Sequence, residues 1–108
     1  INIHPSLLPK YKGLNTHKKV IESKDKFHGA SVHYVTSELD GGPVIIQGKY
    51  EVTEYDENII KQEVHKIEHE ILPIAIKWFI EGNINKLKNN FLFNNEVLEC
   101  PIEHILDH

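Results

Sequence analysis

Arginine and methionine are absent from the 108 residues, and cysteine and tryptophan occur once each. Each absence excludes something. The lone thiol, Cys100, closes no internal disulfide, which removes the stapled secreted scaffolds and fits a reducing, cytoplasmic setting. With no methionine and Ile1 at its front, the chain reads as a piece cut from a longer protein. Without arginine there are no bidentate forks for phosphates and guanine edges, and the twelve lysines form no dense stripe; no nucleic-acid partner is expected. No apolar run approaches the roughly 18 residues a membrane span needs. The polar, proline-bearing start does not resemble a secretory leader either, so no membrane partner is expected.

What is present describes one ordinary globular unit. The length suits one domain or part of one, and 40% of residues are hydrophobic, enough for a real core. The net charge of −4 is unevenly spread. Residues 1–30 hold six lysines against two acids, whereas residues 31–108 hold six against fourteen. The basic first third can attract small anions.

Periodicity divides the chain into alternating elements. Ile1-Asn2-Ile3-His4 alternates like the exit of a strand, and Pro5 and Pro9 then force an irregular extended segment. Residues 16–23 predict a short helix, with Asn15 or Thr16 as N-cap and Val20 and Ile21 facing inward. Ser31 to Thr36 predicts a strand with Val32, Tyr34 and Thr36 on one face and Ser31, His33 and Val35 on the other. Ser37 to Pro43 is a loop whose paired glycines permit unusual backbone angles. Val44 to Val52 predicts one long strand or two short ones, with a bulge at Gly48. From Asp56 to Glu81, Ile60, Val64, Ile67, Ile71, Ile74 and Trp78 draw a helical stripe. Thr53 is its expected cap, Gly82 its stop, and Pro73 a bend or break. Phe91–Phe93 and Glu96–Leu98 predict a hairpin turning at Asn94-Asn95. The acidic C-terminus is expected to fray, and His28, His104 and His108 to lie at the surface.

Two polar groupings could carry chemistry. Asn2 and His4 point to one side of a strand, about 7 Å apart along the backbone, so an amide donor and a titratable imidazole could serve one reacting centre. The bland alternative is an amide finishing a strand end and a histidine packed under prolines. Asp40 beside Gly41-Gly42 is a candidate acid–base group or simply a turn aspartate.

The ordered series Asn2-Ile3-His4-Pro5-Ser6-Leu7-Leu8-Pro9, Gly13, Thr16-His17, Ser31-Val32-His33-Tyr34-Val35 and Leu39-Asp40-Gly41-Gly42-Pro43-Val44-Ile45-Ile46-Gln47 resembles the C-terminal half of the phosphoribosylglycinamide formyltransferase family. The resemblance runs through the long helix to Trp78. It implies an α/β fold, a mixed twisted sheet flanked by helices, with residues 1–108 forming one catalytic half-domain. The N-terminal half, with its glycine-rich phosphate loop, is absent and would be a partner completing the site. Where many relatives carry His, this sequence has Asn15.

The implied reaction passes a formyl group from 10-formyltetrahydrofolate to the amine of glycinamide ribonucleotide, by direct attack through a tetrahedral oxyanion. The resemblance makes Asn2, His4 and Asp40 the catalytic centre. Asn2 and protonated His4 would be oxyanion donors, and Asp40 would favour the charged imidazole and help move the amine proton. Asn2, Thr36, Ser37, Glu38, Leu39 and Asp40 would hold the folate. His65, Lys66, Ile67 and Glu68 would meet the ribonucleotide, Glu68 through the ribose hydroxyls. Formyltetrahydrofolate deformylase and methionyl-tRNA formyltransferase share the broader pattern, and an inactive folate-binding fragment is a third alternative. His65-Lys66-Ile67-Glu68-His69 also fits a zinc signature, H-x-x-E-H, and His4, His17, His33 and Asp40 could be drawn as a metal site. The resemblance accounts for these residues without one, so no metal is expected.

Overall fold

A computed structural model describes residues 1–35, 43–82, 84–87, 90–93, 96–98 and 102–104; beyond residue 82 it describes the backbone, and of the side chains only that of Ile102. In chain order the elements are β1 (Asn2–His4), α1 (Thr16–Ser23), β2 (Phe27–His33), β3 (Val44–Glu51), α2 (Glu57–Ile80), β4 (Ile84–Leu87), β5 (Asn90–Phe93), β6 (Glu96–Leu98) and β7 (Ile102–His104). The main sheet has the order β1-β2-β3-β7, antiparallel across its first two pairings and parallel between β3 and β7. This is the expected α/β architecture with a mixed sheet.

Register sorts the side chains. Asn2 sits opposite His33 and His4 opposite Ser31, and Ser31 in turn opposes Gln47. Directly opposed residues share a face, so these five line one side. Ile3, Val32 and Ile46 are likewise aligned and line the other, with Ala30 and Gly48 opposed beside them. Helix α2 covers that second side with Ile60, Val64, Ile67, Ile71 and Ala75, all buried. Gly48 lies directly beneath it: a Cβ there would stand 2.5 Å from Ile67 Cγ2 and 3.2 Å from Ile71 Cγ2. The glycine therefore serves close helix–sheet approach. The expected bulge at Gly48 is not found; the register shift falls between Val32 and His33 instead.

Helix α1 spans the residues its pattern predicts, with Val20 buried. Asn15 occupies the N-cap position at φ 62° but makes no side-chain cap, and Thr16 Oγ1 donates to Pro5 O at 2.7 Å instead. Asp56, not Thr53, caps α2, its carboxylate accepting from Asn58 N and Ile59 N. Near the C-terminal end Ala75 takes the buried position expected of Ile74, which is only half-buried. Pro73 does not break the helix. It removes one N–H, while Ile67 and Ile71 before it and Ala75 after it remain held in the core. Gly82, at φ 74°, donates to Phe79 O and ends the helix as expected.

Strand β2 begins at Phe27, earlier than alternation suggests, because His28 to His33 are buried on both faces and show no polar period. The predicted β5–β6 hairpin forms, pairing Phe93 with Glu96; Asn94 and Asn95 lie outside the described residues. Strand β4 joins it unforeseen in a second sheet. Ile102–His104, expected to fray, pairs with Ile46–Gly48. His28, expected at the surface, is 1% exposed.

Candidate active site

The polar side of the sheet is organised around β1. Asn2 is exposed, and its Oδ1 accepts from Ile3 N at 2.9 Å, leaving the amide NH2 as the donating end. His4 is 6% exposed, with Nε2 2.8 Å from the carbonyl of Tyr11. A carbonyl only accepts, so Nε2 carries a proton in this arrangement. Across from Asn2, His33 is buried with Nδ1 3.0 Å from Tyr34 O, which by the same reasoning protonates Nδ1.

The segment after β1 folds back over this polar side and is tied down bond by bond. The buried Ser31 hydroxyl donates to Ser6 O at 2.7 Å and accepts from Leu8 N and Gln47 Nε2, both at 3.0 Å. Gln47 Nε2 also donates to Leu8 O at 2.7 Å, and Ser6 Oγ donates to Lys10 O at 2.6 Å. Pro5 and Pro9 have removed two backbone donors here, and side chains from β2 and β3 take over the pairing that a regular ladder would supply. The result is a rigid mount for the strand end that carries His4.

Asp40 and the rest of the predicted folate segment, Thr36, Ser37, Glu38 and Leu39, lie outside the described residues. The base of their connection is described: Tyr34 N donates to Pro43 O at 3.0 Å, one residue beyond His33, which faces Asn2.

On α2, His65 Nδ1 lies 3.6 Å from Glu68 Oε1, and the Glu68 side chain is 22% exposed. His65 and Lys66 join Lys61 and Gln62 around an open groove of about 400 Å³. Ile67 behaves differently. Its side chain is buried against the sheet at Gly48 and belongs to the core, so a contact from residue 67 to a ligand would come from its backbone. The rings of His65 and His69 are 5.4 Å apart, and among the described residues no group of three or more metal-ligating side chains gathers.

A further histidine pair lies away from His4. His17 Nδ1 on α1 is 3.0 Å from His28 Nε2 on β2, the rings meeting edge to face. Burial, then the neighbouring His17, pushes His28 down to about 4, against a smaller opposing pull from Asp25. Burial also lowers His17. Sequence reasoning placed neither contact. The spacing of Ser31 and His33 could have placed them opposite Asn2 and His4 had the antiparallel pairing been known; Gln47 ends one of the family motifs with no role attached to it, and nothing in the sequence marks Tyr11.

An amide and an imidazole share one strand end, mounted beneath a tightly bonded loop. Residues 1–76 match the family described as formyl transferase, and the chain belongs to that family. It is similar to phosphoribosylglycinamide formyltransferase of Escherichia coli (strain K12), 52% identical over 90 residues, covering 82% of this chain and 42% of the relative. The solved phosphoribosylglycinamide formyltransferase from Coxiella burnetii superposes with a TM-score of 0.85 at 42% identity, over 94% of this chain and 49% of that one. A formyltetrahydrofolate deformylase from Pseudomonas syringae pv. tomato superposes with a TM-score of 0.76 at 31% identity, over 85% of this chain and 31% of that one. The chain spans less than half the length of these relatives.

Proposed function

We propose that the protein containing this chain transfers a formyl group from 10-formyltetrahydrofolate to the amine of glycinamide ribonucleotide, a reaction of purine biosynthesis in the cytoplasm. The observation that carries this reading is the shared face of Asn2 and His4, with Tyr34 bonded to Pro43 one residue beyond His33, which faces Asn2. The Asn2 NH2 and the imidazolium of His4 would meet the oxyanion that forms when the amine attacks the formyl carbon. Donors already in place need no reorganisation as charge develops, and losing one typically costs roughly 10² to 10³ in rate. Asp40 would favour the charged imidazole and accept the amine proton, directly or through water.

Thr36 to Asp40 would hold the pteridine through backbone groups, with Leu39 as apolar cover and Asn2 beside the formyl group. His65, Lys66, Ile67 and Glu68 would meet the ribonucleotide, Glu68 through the ribose hydroxyls. The remaining half of the domain would supply the phosphate cradle, so residues 1–108 form a catalytic half-domain, inactive or very weak when isolated. The route as drawn uses no metal and no covalent enzyme intermediate.

The test is the product formed by the full-length protein from 10-formyltetrahydrofolate and glycinamide ribonucleotide. Formylated nucleotide is expected, and Asp40→Asn should lower its rate by orders of magnitude while leaving ligand binding nearly intact. Free formate with unmodified nucleotide would instead support the deformylase reading, to which the weaker Pseudomonas likeness corresponds. Wild-type turnover by Asp40→Asn would defeat the proposed proton path.

A further inference from the structure

Tyr11 stands in a backbone conformation that tyrosine seldom adopts, with φ at 54°. Glycine is the usual occupant of that region, because a Cβ crowds the carbonyl there. Both ends of the residue are tied. Its hydroxyl donates to Asp25 Oδ2 at 2.6 Å, and its carbonyl takes the bond from His4 Nε2 at 2.8 Å. Its ring packs, half-buried, against the core. The anchor is itself fixed: Asp25 N donates to Val20 O at 3.2 Å, Asp25 O accepts from Tyr55 OH at 2.8 Å, and Lys10 Nζ lies 3.8 Å from Oδ1. The Asp25 bond also raises the Tyr11 hydroxyl above its ordinary value.

We infer that Tyr11 is a positioning residue for His4: its hydroxyl, anchored on Asp25, holds the left-handed turn whose carbonyl takes the Nε2 proton of the imidazole. The inference rests on the proposed role of His4 and sharpens it. With Nε2–H committed to a carbonyl, the imidazolium donates its oxyanion bond from Nδ1–H. Tyr11 acts through the ring it holds, and a backbone carbonyl aimed by a side-chain bond fourteen residues along the chain leaves no trace in a motif.

The experiment uses the full-length protein carrying Tyr11→Phe, Asp25→Asn or Asp25→Ala, read by imidazole 15N–1H correlation spectra of His4 and by steady-state kinetics. In the wild type the neutral His4 ring should carry its proton on Nε2. Tyr11→Phe should mix the two neutral tautomers and lower kcat about tenfold with KM for both substrates unchanged. Asp25→Asn keeps an acceptor oxygen and should keep the wild-type spectrum and most of kcat, whereas Asp25→Ala should match Tyr11→Phe. If Tyr11→Phe does not fold, the Asp25 pair decides. A wild-type ring protonated on Nδ1, or Tyr11→Phe or Asp25→Ala folded with spectrum and kcat unchanged, overturns the inference. Failure of the formyl-transfer reading is separate: it shows as His4→Ala with undiminished transfer, while the spectra still decide Tyr11.

Discussion

The two faces of the main sheet use the same strands for opposite ends. On one, Ile3, Ala30, Val32, Ile46 and Gly48 receive the stripe of α2, and fit alone decides the contact. On the other, Asn2, His4, Ser31, His33 and Gln47 are covered by an irregular loop held through directed hydrogen bonds. Apolar burial tolerates small shifts, since its energy follows area. A hydrogen-bonded mount tolerates less, because each bond needs a limited range of distance and angle. The face that needs positional accuracy is therefore the one built from polar groups, and stability is drawn mainly from the face behind it.

That contrast can be broken from either side. Ile67→Ala, in the apolar layer, should destabilise the protein by about 4 kcal/mol through lost burial and the cavity left over Gly48, measured by urea unfolding. Acid attacks the histidine pair. His28 is held near 4 in the folded protein against an ordinary value of 6.5, so between those values the unfolded chain binds a proton that the native one does not. Stability should be intact above about pH 6.5 and fall by roughly 3 kcal/mol as pH drops through that window to 4. His17, lowered by burial against the pull of Glu57, shifts stability in the same direction. Unfolding midpoints taken across the window should show the slope, and His28→Gln should flatten it.

On the polar face, Ser31→Ala deletes three hydrogen bonds and leaves Leu8 N without its partner. A loss of about 2 kcal/mol is expected. In the full-length protein, transfer activity should fall further than that stability loss predicts, since the loop no longer supports His4; activity that merely tracked the unfolded fraction would erase the distinction between the faces. The smallest effect belongs to a residue serving neither face. Asp56→Ala removes the cap of α2 and should cost about 1 kcal/mol with no change in turnover.

Elements whose stabilising pattern is local were readable in advance. The eight residues of α1 and the stripe from Ile60 to Ile71 follow from helical spacing, and Gly82 from its backbone freedom. Misreadings occur where a distant partner decides. Gly48 looks like a bulge until Ile67 is placed above it. His28 looks exposed until α1 brings His17 to meet it. Residues 102–104 look frayed until β3 offers a parallel edge. In the candidate site, Asn2 and His4 were legible as a pair at strand spacing, whereas Tyr11 and Gln47 act through geometry that no spacing encodes.

The sequence by itself determined the polar pair on β1 and the apolar stripe of α2, because periods of two and of 3.6 residues are properties of a chain with its immediate neighbours; the α/β class came from the resemblance carried by its ordered motifs. Tertiary structure alone decided that Ser31 and Gln47 clamp the loop, that a tyrosine carbonyl claims one nitrogen of His4, and that Gly48 must have no side chain. Those outcomes depend on separations of a few ångströms between residues far apart along the chain, and only packing sets them.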